Sequence, residues 1–174
     1  MPLKTNIFKN YPNKYFIETG SYLGDGIQLA IDAGFKNIIS IELSDKYFAI
    51  CTERFKEHPF VKILQGDSCE VLVDVIKEIN EPITFWLDGH YSCGDTAIGK
   101  HWTPLMVELQ QIKEHTIKEH TIIIDDIRCW RSYSEKHGFQ LSDILEKLKE
   151  INNKYEIEYF EGEEIDDVLI AKVY

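Results

Sequence analysis

The 174-residue sequence predicts an α/β fold: a doubly wound, mostly parallel sheet of seven strands with an antiparallel strand at its C-terminal end. Three observations carry this. Short apolar runs alternate five times with segments of helical periodicity. The first run leads directly into a glycine turn, Gly20-Ser21-Tyr22-Leu23-Gly24-Asp25-Gly26, which opens a helix. The last two runs have no helix between them, so they pair antiparallel or lie apart.

Residues 1–14 are too few for a domain and are expected to pack as an arm or a frayed start. The first strand is placed at 15–19 and its helix at 24–33, ended by Gly34. Asn37 to Leu43 is apolar on both faces, as a buried parallel strand requires. Ser44 is the expected cap of a helix that turns Tyr47, Phe48, Cys51 and Phe55 inward and stops before Pro59. Val61 to Leu64 is the third strand. Ser68 then caps a helix with Val71, Leu72, Val75, Ile76 and Ile79 at helical spacing. Ile83 to Leu87 is the fourth strand, followed by an irregular stretch from Gly89 to Trp102 of a length that usually signals function. Thr103-Pro104 opens a helix running through His115. Thr121 to Ile124 is the fifth strand, Ile127 to Phe139 a second loop, and 141–152 a helix. Tyr155 to Phe160 and Val168 to Val173 form the terminal hairpin.

A chain of this length fits one domain spanning 1–174 and can bury a proper core. It is 44% hydrophobic and 28% charged, with 19 basic against 30 acidic residues. That balance disfavours a broad grip on nucleic acid or on an anionic membrane. Four cysteines, Cys51, Cys69, Cys93 and Cys129, are scattered without a CxxC pair and read as reduced thiols. Met1 to Asn13 shows no signal-peptide pattern, and no apolar run approaches a membrane span, so a cytoplasmic protein is expected.

The glycine turn narrows the ligand. A dinucleotide fingerprint needs a glycine two residues after Gly20, where backbone approaches a pyrophosphate; here that residue is Tyr22. Glu18, at the strand end, would repel a pyrophosphate and attract an ammonium or sulfonium. Both departures point to a cationic, phosphate-free ligand, with S-adenosylmethionine (SAM) the obvious candidate. Glu42 lies about twenty residues beyond the turn at the next strand end, where a carboxylate can accept both ribose hydroxyls.

Asp88 closes the fourth strand and Asp125-Asp126 the fifth. Neighbouring strands would bring the three carboxylates to one spot, where they repel unless a cation or protons neutralise them. Hard oxygen ligands suit Mg²⁺, Mn²⁺ or Ca²⁺. His90, two residues after Asp88, is the candidate general base, with His101 its rival in the same loop. A zinc site using Cys93, His90 and His101 has no usual spacing and no clear fourth ligand. Trp102, Trp130, Tyr91 and Tyr133 crowd these loops and could stack on an adenine or a sugar, whereas Trp86 lies within a strand and reads as core.

Over nearly its whole length the chain resembles the Rossmann-like class I SAM-dependent methyltransferases. The motifs are Glu18-Thr19-Gly20-Ser21-Tyr22-Leu23-Gly24, Ile41-Glu42, Gly66-Asp67-Ser68 and Leu87-Asp88-Gly89-His90, in that order. The resemblance implies a cofactor site made of Glu18, Thr19, Gly20, Ser21, Gly24, Gly26, Glu42, Asp67, Ser68 and Asp88. Glu18 would lie near the methionine moiety, and Asp67 would accept from the adenine amine. Catechol-type members bind magnesium at these strand ends but usually end the set with Asn, where this chain has Asp126. The macrocin O-methyltransferase-like sugar enzymes carry Leu-Asp-Gly-Asp and Ile-Asp-Asp. Leu87-Asp88-Gly89-His90 and Ile124-Asp125-Asp126 fit that branch better, with His90 as the departure.

The expected activity is therefore SAM-dependent methyl transfer to a hydroxyl of a sugar, glycan or small diol. A divalent metal on Asp88, Asp125 and Asp126 would assist, and His90 would take the proton. Neither nucleic-acid nor membrane partners are expected, and a homo-oligomer could cover the open site. A cephalosporin-hydroxylase-like enzyme is the competing catalytic reading, and a noncatalytic SAM-binding regulatory module the competing non-enzymatic one.

Overall fold

The central strands are buried on both faces, and that decides the architecture. In the computed structural model, which describes residues 6–91 and 97–174, seven strands form one sheet. They are β1 (Tyr15–Thr19), β2 (Ile38–Glu42), β3 (Val61–Gln65), β4 (Ile83–Leu87), β5 (Thr121–Ile124), β6 (Glu156–Phe160) and β7 (Val168–Lys172). Their order is β3-β2-β1-β4-β5-β7-β6. Only β7 is reversed: it pairs antiparallel with both β5 and β6. The terminal hairpin expected from the sequence is thus present and supplies the one antiparallel strand.

Alternate residues of the central strands feed two separate cores. Phe85 and Leu87 of β4 and Ile122 and Ile124 of β5 join a cluster with Leu72, Leu109 and Leu148. These belong to α3 (Ser68–Ile76), α4 (Leu105–Glu114) and α5 (Leu141–Ile151). Trp86 and Ile123 face the opposite cluster with Ile27 and Cys51, from α1 (Asp25–Ala33) and α2 (Asp45–Arg54). Each large aliphatic side chain fully removed from water contributes roughly 1.5–3 kcal/mol, so the two layers hold the sheet from both sides.

Residues 6–14 are more integral than an arm. A short 3-10 turn at Ile7–Asn10 sets Phe8 fully inside the second core, its ring 4.9 Å from Phe16 and 5.3 Å from Trp86. One expected cap stands in its place and the other is corrected. Ser44 occupies the N-cap position of α2, but its side chain makes no capping bond. Asp67, not Ser68, caps α3, because its carboxylate reaches the Cys69 N–H at 2.9 Å. The second loop holds a 3-10 turn at Ile127–Trp130. Among the described residues no helix is long and apolar enough to cross a membrane.

The connections after β1 and β4 leave toward opposite faces of the sheet. A crevice must open between them at the carboxyl ends of these strands.

Candidate functional site

A cleft of about 660 Å³ occupies that crevice. Gly20, Tyr22, Glu42, Asp67 and Ser68 line one part of it; Asp88, His90, Asp125, Asp126 and Arg128 line another.

The glycine-turn end is shaped by backbone constraint. Gly20 has φ +84°, and a Cβ there would lie 2.5 Å from the Asp88 carbonyl oxygen, so no side chain fits. Tyr22 is also left-handed, at φ 47°, and its half-exposed ring packs 4.5 Å from Tyr47. Glu42 holds this turn: its carboxylate accepts from the Tyr22 N–H at 2.9 Å and the Ser44 N–H at 2.7 Å. Asp67 is similarly engaged, accepting from Cys69 N–H and, at 3.2 Å, from Lys100 N–H.

Glu18 sits in a smaller recess beside Gly20, Tyr22 and Asp88. It is 1% exposed and accepts a 2.5 Å hydrogen bond from Ser40, whose hydroxyl also meets that of Ser21 at 2.5 Å. Burial pushes its carboxyl up to about 8 against the helping pull of Ser40. Gly26 packs so tightly here that a Cβ would fall 1.9 Å from a Glu18 carboxylate oxygen. Ser21 and Gly26 therefore border the recess, while Thr19 and Gly24 line neither space and shape the turn from behind.

The acid end follows from sheet register. Leu87 pairs with Ile124, so Asp88 and Asp125 emerge side by side from parallel neighbours, as expected. The three aspartates do not form one compact ligand set, however. Their oxygens sort into two groups that share Asp126: Asp88 with His90 and Asp126, and Asp125 with Asp126 and Asp167. Within each group the donor atoms lie within 4.8 Å of one another. Asp126 stands at the junction because it leaves the strand in a left-handed conformation, φ 58° and ψ 38°. His90 bridges Asp126 (Nε2 to Oδ2, 2.9 Å) and Asp88 (Nδ1 to Oδ1, 3.5 Å), edge-on to Trp130. Burial, then the charges of Asp125 and Asp126, push Asp88 well above the usual carboxylate range. Burial and Asp126 raise Asp125 to about 6. Burial would also raise Asp126, but His90 and Arg128 outweigh it and hold that carboxyl low.

Three residues here escaped the sequence reading. Arg128 contacts Asp126 and Asp167, and Asp167 is fully buried. Glu108 lies behind the Ser68 wall, 1% exposed and raised to about 7 by burial. Its signal was present: with Leu105, Leu109 and Ile112 it falls in the buried stripe of α4. His101, the rival base, lines the same cleft. Cys93 lies outside the described residues, and Cys51, Cys69 and Cys129 are free. Trp102 meets Tyr91 edge-on at 4.8 Å and carries the Lys136 ammonium 3.5 Å above its ring, whereas Trp86 is core as expected.

No family model matches the sequence, and no curated protein does. Solved structures match the fold. An O-methyltransferase from Bacillus cereus, solved in complex with SAH, superposes with a TM-score of 0.64 at 12% identity, covering 93% of this chain and 74% of that one. A SAM-dependent methyltransferase from Clostridium acetobutylicum gives 0.57 at 11% identity, covering 96% and 87%. A candidate rRNA methylase from Clostridium thermocellum gives 0.62 at 15% identity, covering 98% of both chains. At these identities the likeness establishes a Rossmann-like methyltransferase fold.

Proposed function

We propose that this protein is a SAM-dependent O-methyltransferase acting on a hydroxyl of a sugar, glycan end or small diol, assisted by a divalent cation. The observation that carries the proposal is one cleft with two chemically distinct ends. A glycine cradle with the acids Glu42 and Asp67 lies at one end, and a histidine set between two aspartates lies at the other.

The residues fit SAM. Glu18 is a buried acid whose carboxyl is raised by burial, and an ammonium beside its recess would favour its ionised form. Each oxygen of Glu42 and Asp67 already accepts one backbone N–H and keeps a second lone pair, for ribose hydroxyls and the adenine amine respectively. Gly20 excludes any side chain between the turn and Asp88. When bound, SAM supplies an electrophilic methyl group on a sulfonium.

The chain's own part is orientation and proton removal. Asp126, kept ionised, accepts from His90 Nε2–H and fixes the imidazole. Proton uptake would then fall to Nδ1, which faces Asp88 at 3.5 Å. The hard oxygens of Asp88 and Asp126, with Asp125 behind, fit Mg²⁺, which would acidify and orient an acceptor hydroxyl. The Asp88–His90–Asp126 grouping favours a second reading, in which His90 is itself a ligand.

Calorimetric titration with SAM, with and without Mg²⁺, followed by methyl-transfer assays on sugars and diols in Mg²⁺ or chelator, tests the proposal. SAM binding and metal-stimulated methylation of a hydroxyl are expected, and absence of SAM binding would overturn it. In His90→Ala, Mn²⁺ affinity should persist while turnover falls about a hundredfold. Loss of Mn²⁺ binding instead assigns His90 as a ligand.

A further inference from the structure

Asp126 divides its two oxygens between different partners. Oδ2 faces His90, while Oδ1 is taken by the guanidinium of Arg128. The same guanidinium contacts Asp167 Oδ2 and, through its other nitrogen, Glu163 at 2.6 Å. Asp167 is completely buried, and its remaining oxygen accepts the Arg128 backbone N–H at 2.9 Å. Arg128 therefore joins two members, Asp126 and Asp167, of the group formed with Asp125, whose oxygens are spaced closely enough for a divalent ion.

We propose that Arg128 is the built-in cation of the Asp125–Asp126–Asp167 half of the acid cluster, a positioning residue that leaves only the Asp88 side of Asp126 open to an outside ion. Arg suits this task because its charge is permanent and its five donors are fixed in a plane. A buried carboxylate such as Asp167 also requires a partner cation. The placement has a second consequence. Asp167 and Glu163 belong to the turn between β6 and β7, and Ile127 N–H donates to the Asp167 carbonyl at 2.8 Å. Arg131, one turn further on, holds Glu164 at 3.1 Å and the Ile165 carbonyl at 2.6 Å. The acidic hairpin turn is thereby fastened to the end of β5, and Arg128 fixes which face of Asp126 meets His90. The inference rests on these contacts and not on the methyl-transfer reading.

The test is thermal unfolding of the whole chain with Mn²⁺ or methylguanidinium as the added cation. Arg128→Ala should melt lower than wild type and regain about 5 °C or more with either cation in the millimolar range, because both can enter the vacated position. Wild type should ignore methylguanidinium. Adding Asp167→Asn to Arg128→Ala should abolish the rescue. If Arg128→Ala does not fold alone, either cation added during refolding should restore its far-UV circular dichroism. An Arg128→Ala protein that responds to neither cation more than wild type does, folded or refolding, overturns the inference. Failure of the metal reading is separable: wild type would then ignore Mn²⁺ while Arg128→Ala still responds.

Discussion

Replacing Glu18 with Gln should stabilise the free protein and weaken its ligand binding, with a pH signature that identifies the cause. The carboxyl rises from an ordinary 4.5 to about 8 because it is buried. A raised acid leaves stability intact below its unfolded value and reduces it as pH climbs toward its folded value. At ~1.4 kcal/mol for each factor of ten in proton activity, holding Glu18 protonated costs under ~1 kcal/mol at pH 5 and ~3 kcal/mol at pH 7. Gln removes that cost and can still accept from Ser40 Oγ. For a chain of this size 1 kcal/mol moves the melting temperature roughly 2–4 °C, so Glu18→Gln should melt about 6–12 °C higher at pH 7 and within about 4 °C at pH 5. SAM affinity should fall about tenfold or more, the scale of one charge-assisted hydrogen bond. Melting curves from pH 5 to pH 8 give the first result and calorimetry the second. A difference that does not grow with pH, or a destabilised variant at pH 8, would refute the reasoning.

Gly20→Ala should lower SAM affinity by at least about tenfold in calorimetry, since its Cβ would meet the Asp88 carbonyl at 2.5 Å and the left-handed backbone adds ~1–2 kcal/mol; normal affinity would show that the turn is not the cradle. Leu109→Ala, at a fully buried position between the sheet and α4, should cost ~2–5 kcal/mol in denaturant unfolding. His120 is pulled down to about 3 by burial and then by His115, so its neutral form stabilises the fold above pH 6.5 and that contribution is lost as pH falls toward 3. His120→Leu should be less stable at pH 7 yet lose less on acidification than wild type, by ~2 kcal/mol at pH 5. An unchanged acid slope would refute the assignment.

Periodicity made the sheet legible, because strands buried on both faces must be apolar throughout and helices must show a stripe. Adjacency of β4 and β5 then places Asp88 beside Asp125. What stayed hidden depended on distance along the chain. Asp167 stands in the acidic stretch Glu161 to Asp167, which reads as a solvated turn, and only the return of β7 beside β5 carries it to Arg128. Phe8 gave no periodic signal within its short segment, so its place between Phe16 and Trp86 could not be read locally. Ser68 satisfies the cap preference, but Asp67 precedes it, is equally suited and takes the position. The backbone N–H groups of Tyr22 and Ser44 that engage Glu42 depend on the shape of the turn, which the local sequence does not show.

The two ends of the sheet handle buried polarity in opposite ways. At the amino end, Ile83 N–H donates to His120 Nδ1 at 3.1 Å. His120 must then carry its proton on Nε2, which lies 3.0 Å from His115 Nδ1, and His115 Nε2–H reaches the Ile79 carbonyl at 2.9 Å. That chain is satisfied with both rings neutral and leaves no donor or acceptor for a ligand. At the carboxyl end, Tyr22 and Asp126 hold left-handed backbones, each of order 1–3 kcal/mol above a relaxed residue. Glu18, Asp88 and Asp125 keep carboxyls raised by burial. Such strain and buried acidity persist only where the surrounding fold enforces them, as Glu42 does for Tyr22. A bound cation, whether an ammonium near Glu18 or a divalent ion near Asp88, would relieve the acid part of that tension. The fold therefore carries differential binding energy for cations at one end of its sheet, and the neutral histidine relay shows that the same chain can seal the other.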